Sequence, residues 1–460
     1  MGAFKVIIVG SGLAGSCLAN GLIKHDINVQ VYERMRRESR REGYQIRLGE
    51  YGLKGMRACL EPPVLTSVLA NLGRAGGTRE SAPAIYDSNF TTLLDLSGLP
   101  GYPKSAAINR AVLRDTLAQP LEHAGRLHYG KQLAAYEIIH DGEDERVQVR
   151  FTDGTNEVCD ILVAADGSHS RVNKQVGLNN IADVPEAQMM IVKSELPTEK
   201  FLRMRPELTR TPVASCNDGL SFYWATYLPD QLDMTSSSSK ARFKESKGFD
   251  DSRSSCMLGI SFPQDRAPSD LREWSPESKF QFAQKLVAGW SPIYEEIVEA
   301  VRGHDFYVFV PRQGTQPAAN WRAKVQDPKT PELGHPRVWF VGDAIHAMLP
   351  GRGMGGNQSL LDTAMILPHL VELSKQAEQN ENQLPRALLA RHVNEYEAEM
   401  IPRSFEWVRK SAQGMFLETS TFQARAFFFV ARLVVGAIAT FYRVLGLFTH
   451  VDAETLNLNV

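Results

Sequence analysis

The stretch that decides the fold is Lys5-Val-Ile-Ile-Val9-Gly10-Ser11-Gly12-Leu13-Ala14-Gly15. Lys5 to Val9 is a β-branched, apolar run of the kind that fills a buried parallel strand. The glycines follow without a gap, and Ser16 to Lys24 then places Leu18, Leu22 and Ile23 at helical spacing. Asn28 to Tyr32 reads as the next strand, closed by Glu33. Strand, glycine turn, helix and strand form a βαβ unit. In such a unit Gly10 makes the tight turn, Gly12 lets backbone approach a pyrophosphate, and Gly15 lets helix and strand pack closely. Leu13 and Ala14 complete the loop, and the helix start adds free N–H groups and partial positive charge. Glu33 is placed to accept hydrogen bonds from a ribose, with Arg34 beside it. Its charge disfavours a 2′-phosphate, so the loop suits FAD or NAD rather than NADP. The competing reading is a glycine-rich turn that binds nothing.

Composition narrows the setting. The chain has 460 residues, enough for two or three domains at roughly 150 residues each. Hydrophobic residues make up 43% and charged residues 23%, the balance of a globular protein. With 51 basic and 53 acidic residues the net charge is −2, so no global cationic field exists to hold nucleic acid. The five cysteines form no CxxC pair and none has zinc-ligand spacing to a histidine, so no metal is expected and a reducing compartment fits. The apolar run at Val6 to Val9 is too short for a secretory signal, and a cytoplasmic location is expected.

Further along, Pro83 to Leu96 reads as two short strands, and Ile108 to about Leu121 as an amphipathic helix. Val147 to Phe151 and Ile161 to Ala164 read as strands separated by a turn at Asp153-Gly154. From about residue 185 the pattern changes: Met189 to Val192, Leu220 to Leu228 and Met257 to Phe262 suggest an antiparallel sheet layer inserted into the α/β domain. Thr235 to Ser255, polar and serine-rich, reads as a mobile surface loop. Val338 to Val341 returns to a buried strand, and from Gln358 the pattern is helical. Ala424 to Phe448 is strongly apolar but carries Arg425, Arg432 and Arg443. A helix packed on the body is the favoured reading, and a helix lying in a membrane interface is the sharper alternative.

Two more strand-to-turn motifs separate FAD from NAD. Cys159 to Ala165 runs into Asp166-Gly167. Val338 to Val341 runs into Gly342-Asp343-Ala-Ile-His346, then Pro350-Gly-Arg352-Gly353-Met-Gly355-Gly356-Asn357-Gln-Ser-Leu-Leu-Asp362. This ordered set resembles the class A, aromatic-hydroxylase-like FAD-dependent monooxygenases, whose third motif is GDAxHxxxPxxGxGxNxxxxD. Gly43-Tyr-Gln-Ile and Arg352-Gly-Met-Gly-Gly-Asn357 look most like fungal secondary-metabolism members, with a looser likeness to tetracycline-inactivating monooxygenases. The motifs span Gly10 to Asp362.

The resemblance implies an α/β fold: a Rossmann-like FAD domain with an inserted antiparallel substrate sheet and C-terminal helices. Its expected segments are 1–75, 104–180 and 300–375 for the FAD domain, 76–103 and 181–299 for the sheet, and 376–460 for the helical region. It implies FAD as cofactor and NAD(P)H as co-substrate, with dioxygen and a small aromatic or polycyclic molecule as reactants. The reaction would be hydroxylation, epoxidation or Baeyer–Villiger insertion. Asp343 would hold the ribityl chain, Arg110 the pyrophosphate side, and Asp166 would serve FAD and NAD(P)H handling. Gly342, Pro350, Gly353, Gly355, Gly356 and Asn357 would shape the backbone around the flavin ring. His346 lines the flavin or packs the loop. Arg47 lies near flavin or substrate, or is a plain strand-end arginine, and Arg114 is a surface or ion-pair arginine. No catalytic base is assigned. A flavin reductase, a halogenase and a non-catalytic flavin-binding partner are the other readings, the halogenase weakened by the absence of its Trp-x-Trp-x-Ile-Pro segment.

Overall fold

The computed structural model describes residues 4–39, 45–73, 80–97, 104–141, 144–197, 200, 203–227, 253–380, 383–415, 419 and 421–448. Its first layer is a five-stranded sheet. In chain order the strands are β1 (Lys5–Val9), β2 (Asn28–Glu33), β3 (Leu127–Tyr129), β4 (Ile161–Ala164) and β5 (Val338–Phe340). Their spatial order is β5-β4-β1-β2-β3, and every neighbouring pair is parallel. All strands therefore end at one edge, where an open α/β sheet binds its ligands. Ile161 to Ala164 and Val338 to Phe340 are buried throughout, as strands covered on both faces require.

Helix α1 (Leu13–Lys24) starts three residues earlier than its apolar spacing indicated, directly on Gly12. It reaches the sheet because Gly15 has no side chain: a Cβ there would run into the Gly10 carbonyl. Gly10 adopts φ of +103°, a conformation open to glycine. Helix α2 (Glu50–Cys59) meets α4 (Gly355–Gln379) in the same way. A Cβ at Gly55 would strike the Leu360 carbonyl, and one at Gly52 would sit 2.8 Å from Asn357 Oδ1. Between them in sequence, α3 (Arg110–His123) follows the N-cap Asn109, whose side chain accepts from Ala111 N at 2.9 Å.

The second layer is a seven-stranded sheet. Its order is Tyr307–Phe309, Ala187–Pro197, Arg253–Pro263, Leu220–Tyr227, Val213–Asn217, Ala84–Tyr86 and Thr92–Asp95. It is antiparallel except where Val213–Asn217 runs parallel to Ala84–Tyr86. Helices Pro276–Leu286 and Pro292–Ala300 back it, with Tyr294 wedged among Phe90, Phe222 and Trp290. A separate three-stranded sheet, Gln45–Leu48, Ser105–Asn109 and Glu80–Ser81, adjoins the large one, and Gln45 Nε2 donates to Thr226 O at 3.3 Å.

Several expectations need correction. Asn156–Cys159 is a strand of its own, pairing with Asp144–Phe151 after the expected turn. The expected Thr235–Ser255 loop lies outside the described residues up to 252. Its last three residues are strand, because the register against Ala187–Pro197 continues to Pro197↔Arg253 and buries Ser254. Helix α5 (Arg386–Met415) is locked to the parallel sheet by Arg322. The guanidinium lies 2.7 Å from Glu397 and donates to Val338 O and His335 O, each at 2.8 Å. Helix α6 (Phe422–Phe448) follows the expected apolar tail, but it packs mainly against Thr92–Asp95. Phe428 is buried there, whereas Phe427, Phe429, Leu433 and Phe441 remain exposed. The body offers this helix too narrow a contact to cover its apolar surface. Among the described residues no helix is long and apolar enough to cross a membrane.

The Gly55 contact yields a prediction. Gly55→Ala should lower the thermal unfolding midpoint, because backbone rather than a flexible side chain blocks the added methyl; the cost should be of the order of 1–3 kcal/mol. An alanine variant as stable as the parent in calorimetry would show that α2 and α4 are not held at this distance.

Candidate functional site

The motif residues meet at the carboxyl edge of the parallel sheet. Gly10 to Gly12 lead from β1 into α1, and Glu33 ends β2. Asp166 and Gly167 follow β4, while Gly342 and Asp343 follow β5. Chain segments more than 300 residues apart thus converge because their strands are parallel neighbours.

The glycine loop is pre-shaped. Glu33 Oε2 accepts from Ser11 N at 2.9 Å and Ser11 Oγ at 3.2 Å, and its Oε1 accepts from Met35 N at 2.8 Å. A carboxylate offers about four lone-pair sites, so capacity remains for one further donor such as a ribose hydroxyl. No side chain caps α1, leaving its first N–H groups directed at the loop. A Cβ at Gly12 would meet nothing within 4 Å. The loop backbone is bare there, which an approaching phosphate requires.

A second helix start faces the first. Asn357 sits in the first turn of α4 and is buried. Its Oδ1 accepts from Gly49 N at 2.8 Å, and its Nδ2 donates to Arg47 O at 2.8 Å and Gly353 O at 3.2 Å. Asn357 therefore fixes the α4 start against the Gln45–Leu48 strand. Gly356 lies across from α1: a Cβ there would stand 3.9 Å from Leu13 Cδ1 and 3.8 Å from Ile46 Cδ1. Gly353, in the left-handed region at φ +63°, has open space beside it, and the short turn Pro350–Arg352 precedes it. No side chain caps α4 either.

Asp343 caps the other side of this cleft. Solvent reaches its carboxylate, yet protein surrounds it closely enough to raise its pKa by desolvation, with His346 and Arg110 opposing. A Cβ on Gly355 would lie 3.9 Å from its Oδ1. Asp166 Oδ2 accepts from Arg171 N at 3.0 Å, while its Oδ1 is buried without a hydrogen-bond partner. Burial raises its pKa, against the hydrogen bonds it accepts from Ser170 and Arg171. Arg47 is also incompletely satisfied. It donates to Ser105 Oγ at 3.0 Å, Ser81 Oγ at 2.7 Å and the carbonyls of Ser81 and Ser105, yet its Nη1 is buried with no partner. Each such orphaned polar atom costs about 1–3 kcal/mol unless a ligand satisfies it. Arg47 thus reaches across from its strand to Ser81 and Ser105 on the other two strands of its sheet.

Arg34 is exposed, as are Arg36 and Arg37, and Arg37 pairs with Glu122 at 2.8 Å; Arg40, Arg41, Gly43 and Tyr44 lie outside the described residues. Arg114 pairs with its neighbour Asp115 at 2.8 Å. His346 packs into its loop, with its Nε2 2.6 Å from Asp362 Oδ2, both side chains fully buried, and its Nδ1 without a partner.

That pair belongs to a network that the motif pattern alone does not reveal. Asp362 Oδ2 also accepts from Gly342 N at 2.8 Å, and its Oδ1 accepts from Arg403 Nη2 at 3.0 Å. Arg403 reaches Gln358 and Glu399 in turn. Burial alone would raise the Asp362 pKa, but His346, Arg403 and the Gly342 N–H outweigh it and hold the carboxyl below the usual range. Burial likewise works to lower the His346 pKa, and Asp362 reverses it, so the net shift is upward. The network pins the Gly342 turn, at φ +64°, to α4 and α5.

Comparison with known proteins agrees with this architecture. Residues 3–222 match the FAD-binding domain family. The chain is 24% identical to the dual O-methyltransferase/FAD-dependent monooxygenase elcB of Phaeosphaeria nodorum, over 89% of this chain and 45% of elcB. It is 24% identical to the FAD-dependent monooxygenase thnD of Trichoderma harzianum, over 89% of this chain and 92% of thnD. The chain thus spans less than half of elcB and nearly all of thnD. The crystal structure of Klebsiella pneumoniae HpxO complexed with FAD and uric acid shares the fold, with a TM-score of 0.64 and 17% identity over 95% of this chain and 96% of that one. The resemblance to class A FAD-dependent monooxygenases, fungal members among them, holds in sequence and in fold.

Asp362→Asn should destabilise the protein by about 3–5 kcal/mol at neutral pH, since it removes the buried anion on which His346, Arg403 and the Gly342 N–H converge. Asp362 has a depressed folded pKa, so its contribution is present above the unfolded pKa and disappears as pH falls through the folded one. The deficit measured by denaturant unfolding should therefore narrow in acid. A constant deficit across that range would contradict an ionised, paired Asp362.

Proposed function

We propose that this chain, an FAD-binding protein of the class A monooxygenase fold, uses NAD(P)H and dioxygen to insert one oxygen atom into an aromatic or polycyclic small molecule of secondary metabolism. The observation that carries this reading is the convergence of two uncapped helix starts, the glycine and aspartate turns and the orphaned Asp166 Oδ1 at the carboxyl edge of the parallel sheet. The residues fit FAD. Gly10, Gly12, Leu13, Ala14 and Gly15 would take the pyrophosphate, with Arg110 beside it and Glu33, flanked by Arg34, on the adenosine ribose. Gly342 and Asp343 would hold the ribityl chain. Pro350, Gly353, Gly355, Gly356 and Asn357 would shape the backbone against the flavin ring, and Asp166 and Arg47 would find partners there. Bound FAD would supply the redox chemistry, accepting hydride equivalents and activating dioxygen.

The chain's own contribution is placement and shielding. The α4 start would set N–H groups and partial positive charge beside the flavin, stabilising negative charge there. Asn357 would hold that helix start in register with the Gln45–Leu48 strand. Arg47 would bring a fixed cation to the junction with the large sheet, where burial lowers its pKa and the Tyr223 phenol opposes the shift. The large sheet would cover the cleft and exclude water, which preserves reactive oxygen species for substrate. We assign 1–75, 104–180 and 300–375 to the FAD domain, 76–103 and 181–299 to the substrate sheet and 376–460 to the helical region.

Two variants separate cofactor binding from folding. Gly12→Val should fold with a near-parental circular dichroism spectrum yet purify without flavin, because its side chain enters ligand space and not protein. Asp343→Ala should reduce FAD retention at least ~10-fold, the loss of a charge-assisted hydrogen bond. Full flavin occupancy in both would refute this placement. For the reaction, mass spectrometry of aromatic or polycyclic candidates turned over under labelled dioxygen should show one labelled oxygen in the product. NAD(P)H-dependent turnover that persists without oxygen would instead identify a reductase.

A further inference from the structure

A cluster unrelated to the cleft lies where α4 crosses α5. His369 sits on α4, about 18 Å along the helix from Asn357 at 1.5 Å per residue. His392 and Glu395 sit on α5, three residues apart and hence on one helix face. The Nδ1 atoms of the two histidines are 3.1 Å apart, and Glu395 Oε2 is 4.0 Å from His369 Nδ1. One ligand atom from each residue lies within 4.8 Å of the others.

We propose that His369, His392 and Glu395 bind one divalent transition-metal ion of the zinc type, which clips α4 to α5. Two nitrogens on a tetrahedral zinc at 2.0–2.1 Å stand about 3.3 Å apart, close to the separation already present. The His369 ring is steadied by Trp339, 6.3 Å between centroids, and by His392, 5.4 Å and nearly edge-on. The Glu395 side chain is more than half exposed and free to close the remaining distance. Two nitrogens and one carboxylate oxygen select zinc, nickel or copper over magnesium or calcium, and leave a position for water. Burial lowers the pKa of both imidazoles, and Glu395 beside them opposes that shift without reversing it.

Without an ion, the arrangement resolves into a hydrogen bond. Arg391 Nη2 lies 3.4 Å from His392 Nε2. Arginine only donates, so His392 carries its proton on Nδ1 and gives it to His369 Nδ1. Metal binding moves that proton to Nε2 and frees both Nδ1 lone pairs, and the exposed Arg391 swings into solvent. No electron transfer is involved. The ion braces the crossing of the helix that begins at the flavin cleft and the helix that bears Arg403.

The test is calorimetric titration of the tag-free, full-length protein with zinc chloride, alongside thermal unfolding in zinc and in EDTA. One zinc per chain is expected, with a midpoint about 2 °C or more higher in zinc and no shift in magnesium. Glu395→Gln alters an exposed side chain and keeps the histidine pair; it and His369→Gln should each weaken zinc binding at least ~10-fold. Absence of stoichiometric zinc binding by the parent, or undiminished binding by either variant, would overturn the proposal.

Discussion

Backbone meets backbone at Gly10, Gly15 and Gly55, and the architecture depends on the missing side chains there. Gly15 lets α1 descend onto β1, and Gly10 lies so close to Ala165 that a side chain would strike its carbonyl. This proximity brings the α1 start over the ends of β1 and β4. Gly55 repeats the device between α2 and α4, whose start lies against the Gly342–Asp343 turn that follows β5. An atom of carbon at any of the three would separate helix from strand or helix from helix, and the cleft would lose one wall.

Polar anchoring does the rest. Asn357 ties α4 to the Gln45–Leu48 strand, and Asp362 ties the Gly342 turn to α4 and α5. The Arg322–Glu397 pair performs the same service below the sheet. Arg322 is bonded at all three of its nitrogens within the fold. Asp166 Oδ1 and Arg47 Nη1 are buried without a hydrogen-bond partner, as are His346 Nδ1 and Gln358 Nε2 in the Asp362 network.

The parallel sheet and its motifs were legible in the chain because their signals are local. β1 agrees residue for residue with the apolar run Lys5 to Val9, and β2 extends its expected strand only to Glu33. The third motif also located the start of α4 within a turn. What stayed hidden were pairings between distant residues. The pairing of His346 with Asp362 was one of them, and Arg403 sits 41 residues beyond Asp362 with no local signal. Gly52 and Gly55 carried a signal, two small residues on one helix face, but a helix glycine is informative only once the opposing helix is known. The metal-type cluster was hidden for the same reason, since its histidines lie 23 residues apart on separate helices. The apolar tail was read correctly as helix and less well as packing, because coverage depends on surfaces elsewhere in the fold.

On the proposed function, the carboxyl edge of the parallel sheet is a cradle for FAD. The most direct measurement is the identity and amount of flavin released when the purified protein is denatured, read by chromatography and absorbance after incubation with excess FAD. One FAD per chain is expected, with FMN and NAD not retained. A colourless protein that takes up no FAD would contradict it.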